Sequence, residues 1–161
     1  NLDNVLAAVS VGLYFGLTPA QINHALENYV PTNNRSELVQ TKDNVLIVDA
    51  YNANPTSMAA ALDSFVHISL TQPKMAILGD MRELGEVSAE EHQKIVDTLK
   101  ADHLTDVWLV GEEFMKTHCD YNKFKDVAAV KEAIARNKPQ GKCILIKGSN
   151  GTRLFELPAL L

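Results

Sequence analysis

Val45-Leu46-Ile47-Val48-Asp49-Ala50-Tyr51-Asn52-Ala53-Asn54-Pro55 is the stretch on which the fold turns, and a helical pattern opens directly after it at Thr56-Ser57-Met58. Consecutive apolar residues, mostly β-branched, read as a strand buried on both faces, the usual condition of a parallel strand covered by helices. The strand closes on a carboxylate, Asp49. The loop beyond it supplies two side-chain amides, a phenol and a proline, and Pro55 suits the start of a helix because its missing N–H would have no intrahelical partner. A polar loop at the carboxyl end of a buried strand is where open α/β sheets hold ligands.

Strand, loop and helix then repeat. Ser57 to Leu70 places Met58, Ala61, Leu62, Phe65 and Ile68 on one helical face. Met75 to Leu78 is a second buried strand, ending in Gly79-Asp80-Met81-Arg82-Glu83-Leu84-Gly85, and a helix is predicted from Ala89 to Leu99 with Ser88 as N-cap and Glu91 completing a capping box. Val107 to Val110 is a third strand, ending at Gly111 and followed by a short helix through Phe114; Ala128 to Ala135 is another helix. Cys143 to Ile146 is a fourth strand, ending in Lys147-Gly148-Ser149-Asn150-Gly151, and Thr152 to Leu161 reads as a helix start cut short by Pro158. This alternation predicts an α/β fold, a three-layer α/β/α Rossmann-like sandwich with a mainly parallel sheet and right-handed crossovers. Its polar strand-end loops should share one rim.

Upstream, Leu2, Val5, Leu6, Val9, Leu13 and Leu17 recur at helical spacing, Gly16 suits a C-terminal cap, and Thr18-Pro19 restarts a helix through Ile22, Ala25 and Leu26. Residues 1–30 are therefore expected to form a helical hairpin, and Pro31-Thr32-Asn33-Asn34 a linker before a domain spanning 31–161. Glu37 to Thr41 and Asn44 to Val48 either pair as a hairpin or leave the first as an edge strand. The chain opens inside a helical pattern without an initiator Met, so a segment of a longer protein is expected.

Composition narrows the class. With 161 residues, 46% hydrophobic, the chain suffices for one well-buried domain with an appendage, and a formal charge of -5 with scattered Lys and Arg gives no footprint for nucleic acid or an anionic membrane. No apolar run approaches the roughly 20 residues of a membrane span, and no basic segment leads into a cleavage site, so a cytoplasmic protein is expected. Cys119 and Cys143 fit no metal spacing and read as reduced thiols.

The loop residues themselves leave alternatives open. Asp49 suits ribose hydroxyls, a metal held through water, or a bond to its own turn; Asn52 and Asn54 suit an amide, a peptide or an adenine edge, and are also ordinary turn residues. Lys147-Gly148-Ser149 offers a cation beside a glycine that lets backbone N–H groups approach an anion, although neither G-x-x-x-x-G-K-[ST] nor G-x-G-x-x-G occurs in the chain. Asp80 and Glu83 form an acid/base pair or cap a helix. His67, His103 and His118 lack partners at metal spacing, His92 reads as part of a solvated helix face beside Glu90, Glu91 and Lys94, and Trp108 reads as core. No metal site is expected within this sequence.

Taken together, the runs Asp49 to Pro55 with Ser57-Met58, Leu78 to Gly85, and Lys147-Gly148-Ser149 resemble three successive C-terminal-domain signatures of the D-alanyl-D-alanine-adding branch of the Mur ligase family. Asn1-x-x-Asn4 followed by Leu6-Ala7-Ala8 resembles the end of that family's central ATPase domain, and Arg35 stands where the family has an arginine after the interdomain linker. The resemblance implies an ATP-dependent amide ligase of peptidoglycan precursor synthesis. Its substrates would be UDP-N-acetylmuramoyl-tripeptide, activated as an acyl phosphate, and D-alanyl-D-alanine, whose amine attacks it.

Residue by residue, the resemblance implies that Asn4, with Asn1 as companion, contacts adenine. Arg35 would reach the ATP phosphates on domain closure. Asp49 would bind the ribose or nearby nucleotide groups; Tyr51, Asn52 and Asn54 would shape the nucleotide and dipeptide edge, Asn52 on the ATP side; and the Asp80 to Gly85 loop, through Asp80 and Glu83, would hold the dipeptide together with Lys147 and Ser149. Arg35 and Lys147 would be the catalytic cations, Lys147 nearer the dipeptide carboxylate than the phosphate. Family members often carry arginine after Lys-Gly-Ser, where this chain has Asn150. The UDP-binding domain and the central P-loop with its Mg²⁺ ligands would lie outside this sequence, so the chain alone should fold without catalysing. The rival readings are a folylpolyglutamate-synthase-like ligase and a non-catalytic Rossmann-like nucleotide-binding module.

Overall fold

The computed structural model describes residues 2–29 and 36–161. Asn1, Arg35 and the predicted linker Pro31-Thr32-Asn33-Asn34 lie outside the described residues. Contacts divide the chain into two units, Asn1–Pro31 and Thr32–Leu161.

In the first unit, α1 (Leu2–Tyr14) and α2 (Pro19–Glu27) form the expected pair of helices. The turn between them uses Gly16 at φ +79°, and Thr18 caps α2 by accepting from the Gln21 N–H while its own N–H donates to Gln21 Oε1 at 2.9 Å. A Cβ on Gly12 would stand 2.9 Å from Ile22 Cγ1, so the helices meet at a residue without a side chain. Val5, Leu6, Val11 and Leu13 stay exposed, because two short helices cannot cover their own apolar stripe.

The second unit is built on a six-stranded sheet. Its strands are β1 (Glu37–Gln40), β2 (Val45–Asp49), β3 (Lys74–Gly79), β4 (Val107–Val110), β5 (Asn122–Phe124) and β6 (Cys143–Lys147), in the order β1-β2-β6-β3-β4-β5. β1 pairs antiparallel with β2, as an edge strand and a hairpin at once, and all other pairings are parallel. The hairpin turn is fixed by Thr41, whose Oγ1 accepts from the Asn44 N–H at 2.9 Å.

Helices α3 (Pro55–His67), α4 (Ser88–Ala101) and α5 (Glu112–Met115) cover one face, setting Met58, Leu62, Phe65, Ile95, Val96, Leu99 and Phe114 against Ala76, Leu78, Leu109 and Leu145. On the other face α6 (Val127–Arg136) and the C-terminal segment bring Val130, Ile134, Leu154, Leu157 and Leu161 onto Leu46, Val48, Met75, Ile77, Ile144 and Ile146. Each of these side chains larger than alanine contributes about 1.5–3 kcal/mol relative to exposure. The three-layer α/β/α reading holds.

Several local expectations differ. In β2 only Leu46 and Val48 are fully buried; Val45 and Ile47 are half-buried. Ile68 lies outside α3 in an extended cap, and a 3-10 turn at Gly85–Val87 runs straight into α4. Ser88 is therefore helical rather than an N-cap, and its hydroxyl donates to Glu113 Oε2 at 3.1 Å, a partner far away in sequence. Beyond β6 the chain makes 3-10 turns at Asn150–Thr152 and Leu154–Glu156 in place of a helix start. Burial pushes the Cys143 thiol up. Alkylation with iodoacetamide at mildly alkaline pH should therefore label half-buried Cys119 in the native chain and Cys143 only after unfolding; peptide mass mapping showing native labelling of Cys143 would contradict this burial.

Candidate functional site

β2 and β3 both lead into helices on one face, while β6, inserted between them, arrives from α6 on the other. Neighbouring strands with opposite exits leave a crevice at their carboxyl ends. The loops 49–54, 79–87 and 147–152 meet there.

The first junction joins β2 to β6. Their parallel register places Asp49 beside Lys147, and Lys147 Nζ donates to Asp49 Oδ2 at 2.5 Å and to the Asn52 carbonyl at 3.4 Å. Lys147 is buried at 1% exposure, whereas the Asp49 side chain retains 20%. The other Asp49 oxygen accepts from the Ser36 N–H at 3.3 Å. Two residues assigned from sequence to different ligands thus neutralise each other.

The second junction is Ser149, also buried. Its Oγ accepts from the Arg82 N–H at 3.0 Å and donates to the Ala53 carbonyl at 3.4 Å, while its N–H donates to the Asp80 carbonyl at 3.2 Å. One residue therefore ties all three loops together. Close packing supports this: a Cβ on Gly148 would stand 2.9 Å from Gly79 Cα.

The third junction fixes the β3 loop to β4. Asp80 accepts from the N–H groups of Glu113 and Phe114, each at 3.0 Å, which answers the capping alternative: it caps α5. Beneath it His92 is fully buried, against the expectation of a solvated face. Its Nε2 accepts from the Met81 N–H at 3.0 Å, which leaves Nδ1–H to donate to the Ser88 carbonyl at 2.7 Å and fixes the neutral tautomer. The Lys116 ammonium, hydrogen-bonded to Glu113, holds that carboxyl below the usual carboxylate range.

The remaining predicted residues are more open. Tyr51 and Asn52 are exposed on the rim, and Asn54 caps α3 by accepting from the Ser57 N–H at 2.8 Å. Glu83 is exposed at φ +66°. Asn4 is exposed on α1, in the first unit. Among the described residues, no group of three or more His, Cys, Asp or Glu is placed to hold a metal ion, and no helix is long and apolar enough to cross a membrane.

Outward of Asp80, a cleft of about 980 Å³ runs along the ends of β3, β4 and β5. Arg82 lies in its wall with its Nη2 donating to the Gly151 carbonyl at 3.2 Å. Sequence reasoning gave Arg82 no role of its own. The signal was present, since it is the one cation between Gly79 and Gly85.

The family model described as Mur ligase, glutamate ligase domain, matches residues 34–150. A UDP-N-acetylmuramoyl-tripeptide--D-alanyl-D-alanine ligase from Bacillus subtilis is 32% identical over 98% of this chain, which spans 36% of that relative's length. A crystal structure of MurF from Acinetobacter baumannii superposes with a TM-score of 0.79 at 30% identity, over 99% of this chain and 36% of that one. MurF from Thermotoga maritima, solved in complex with ADP, shares the fold at 22% identity and a TM-score of 0.79, over 99% of this chain and 37% of that one. A bifunctional folylpolyglutamate synthase/dihydrofolate synthase from Yersinia pestis shares it more distantly, at 14% identity and a TM-score of 0.62, over 89% of this chain and 34% of that one.

Proposed function

Because this chain belongs to the Mur ligase family through its glutamate ligase domain, we propose that it is the C-terminal part of an ATP-dependent, cytoplasmic ligase joining D-alanyl-D-alanine to UDP-N-acetylmuramoyl-tripeptide. The observation that carries the reading is the meeting of the three signature loops at one crevice, tied by Ser149. The tripeptide's terminal carboxylate is activated as an acyl phosphate, and the dipeptide amine displaces phosphate to form the amide. Such a reaction needs the amine held in line and water kept out.

Under this reading residues 1–30 are the helical end of the central ATPase domain, which accounts for the uncovered Leu6, Val11 and Leu13. Asn4, with Asn1, serves adenine from that side, and Arg35 reaches the ATP phosphates. Asp49, with part of its carboxylate still open to solvent, faces the nucleotide ribose, and Lys147 holds it there. Asn52 completes the nucleotide edge, Tyr51 and Asn54 the boundary with the dipeptide. Ser149 and Asp80 position the dipeptide loop, and Glu83 borders it. Residues of the central domain would hold Mg²⁺, which would supply charge neutralisation for the transferring phosphoryl group.

The test is phosphate release from ATP by the full-length enzyme carrying this chain. With UDP-N-acetylmuramoyl-tripeptide present, release should require D-alanyl-D-alanine. Release supported instead by glutamate and a folate would replace this reading with the folylpolyglutamate-type ligase.

A further inference from the structure

We propose that Arg82 is the residue that receives the free carboxylate of the incoming D-alanyl-D-alanine, an assignment that rests on the ligase reading above. A dipeptide entering this rim must present a carboxylate, and some cation has to meet it. Lys147 cannot serve: it is buried at 1% exposure and already bonded to Asp49. Other cations of the cleft are also engaged, Lys116 by Glu113 and Arg153 by Glu156. Among the described residues Arg82 forms no ion pair.

Its guanidinium is nonetheless held in place. The backbone N–H donates to buried Ser149, and the side chain lies against Gly151, one nitrogen donating to that residue's carbonyl. A Cβ on Gly151 would stand 2.4 Å from Arg82 Cζ, so the guanidinium occupies the space that the missing side chain leaves. Anchoring through one nitrogen leaves the rest of the planar fork for a carboxylate, the geometry in which arginine gives two parallel charge-assisted hydrogen bonds. Lys125 lines the same cleft without an ion pair, but it is an exposed lysine on the β5 side with no anchor of this kind. Asn150, at the start of the same turn, carries no charge, so the turn itself supplies no competing cation there.

The experiment measures steady-state kinetics of the full-length enzyme with D-alanyl-D-alanine and with its C-terminal carboxamide. Arg82→Ala should raise the dipeptide KM about tenfold or more, leaving the KM values for ATP and UDP-N-acetylmuramoyl-tripeptide unchanged. Arg82→Lys should recover part of the loss. Gly151→Ala, whose new methyl displaces only a flexible side chain, should shift KM in the same direction, and adding it to Arg82→Ala should cost nothing more. The preference of the wild type for carboxylate over carboxamide should vanish in Arg82→Ala. If that preference survives in an active Arg82→Ala enzyme, Arg82 does not bind the carboxylate and the ligase reading stands. If the wild type releases no phosphate in response to the dipeptide, the ligase reading and this assignment fall together.

Discussion

Gly111→Ala should be among the most destabilising single substitutions in the second unit, lowering unfolding free energy by about 3–5 kcal/mol. Two costs combine. Gly111 sits at φ +126°, a conformation that L side chains rarely adopt, so alanine is strained there whatever the space around it. The space is also taken: the new Cβ would lie 2.2 Å from Asp80 Cγ and 2.3 Å from Oδ2. Asp80 cannot step aside cheaply, because it is buried and its oxygens accept from the N–H groups of Glu113 and Phe114. Moving it would leave those donors unsatisfied at the start of α5, at about 1–3 kcal/mol for a buried group. Urea denaturation of Gly111→Ala, Asp80→Ala and the double variant checks the account. The double variant should be less destabilised than the sum of the singles, since removing the carboxylate removes the clash and leaves only the backbone strain. Strict additivity would mean that the two residues do not act on each other.

The same lock explains what the sequence could and could not disclose. β2, β3, β4 and β6 announce themselves as short apolar runs, and the helices between them show a period that only a covered sheet makes useful. β5 stayed hidden because Asn122-Lys123-Phe124 is three residues long with one apolar side chain. His92 was misjudged through its charged neighbours, although positions 92, 95, 96 and 99 form one buried stripe of α4. The Ser88 capping box failed because the hydroxyl found Glu113 and the preceding 3-10 turn already supplied helical geometry. That the polar strand-end loops share one rim was legible from the strand alternation, and Ser149 ties them there. Which residues pair within it was not legible: the Asp49–Lys147 pair exists only because β6 lies beside β2, and Arg82 is anchored because Ser149 and Gly151 of the β6 loop pass against it. Those are facts of strand order and close approach, which no single stretch of sequence contains.

That strand order makes the Asp49–Lys147 pair asymmetric, and the asymmetry is measurable. Removing Asp49 strands an ammonium on a side chain only 2% exposed, with little but the Asn52 carbonyl at 3.4 Å left to it. Removing Lys147 leaves a carboxylate that keeps 20% exposure and the Ser36 N–H, so water can take over part of the solvation. Breaking a buried pair from the side that leaves the charge without water costs about 3–5 kcal/mol. Asp49→Ala is therefore expected to approach that loss in urea denaturation, and Lys147→Met, which keeps the apolar stem, to cost clearly less. The double variant Asp49→Ala/Lys147→Met should recover most of the stability lost in Asp49→Ala, because it buries no unpaired charge. In the full-length ligase the order should reverse in one respect: the double variant, though stable, should bind ATP more weakly than wild type, because the carboxylate proposed for the ribose is gone. Equal losses for the two single variants would mean that Lys147 reaches water more easily than its burial implies. An unchanged ATP affinity in the double variant would instead leave the pair as a purely structural bond between β2 and β6.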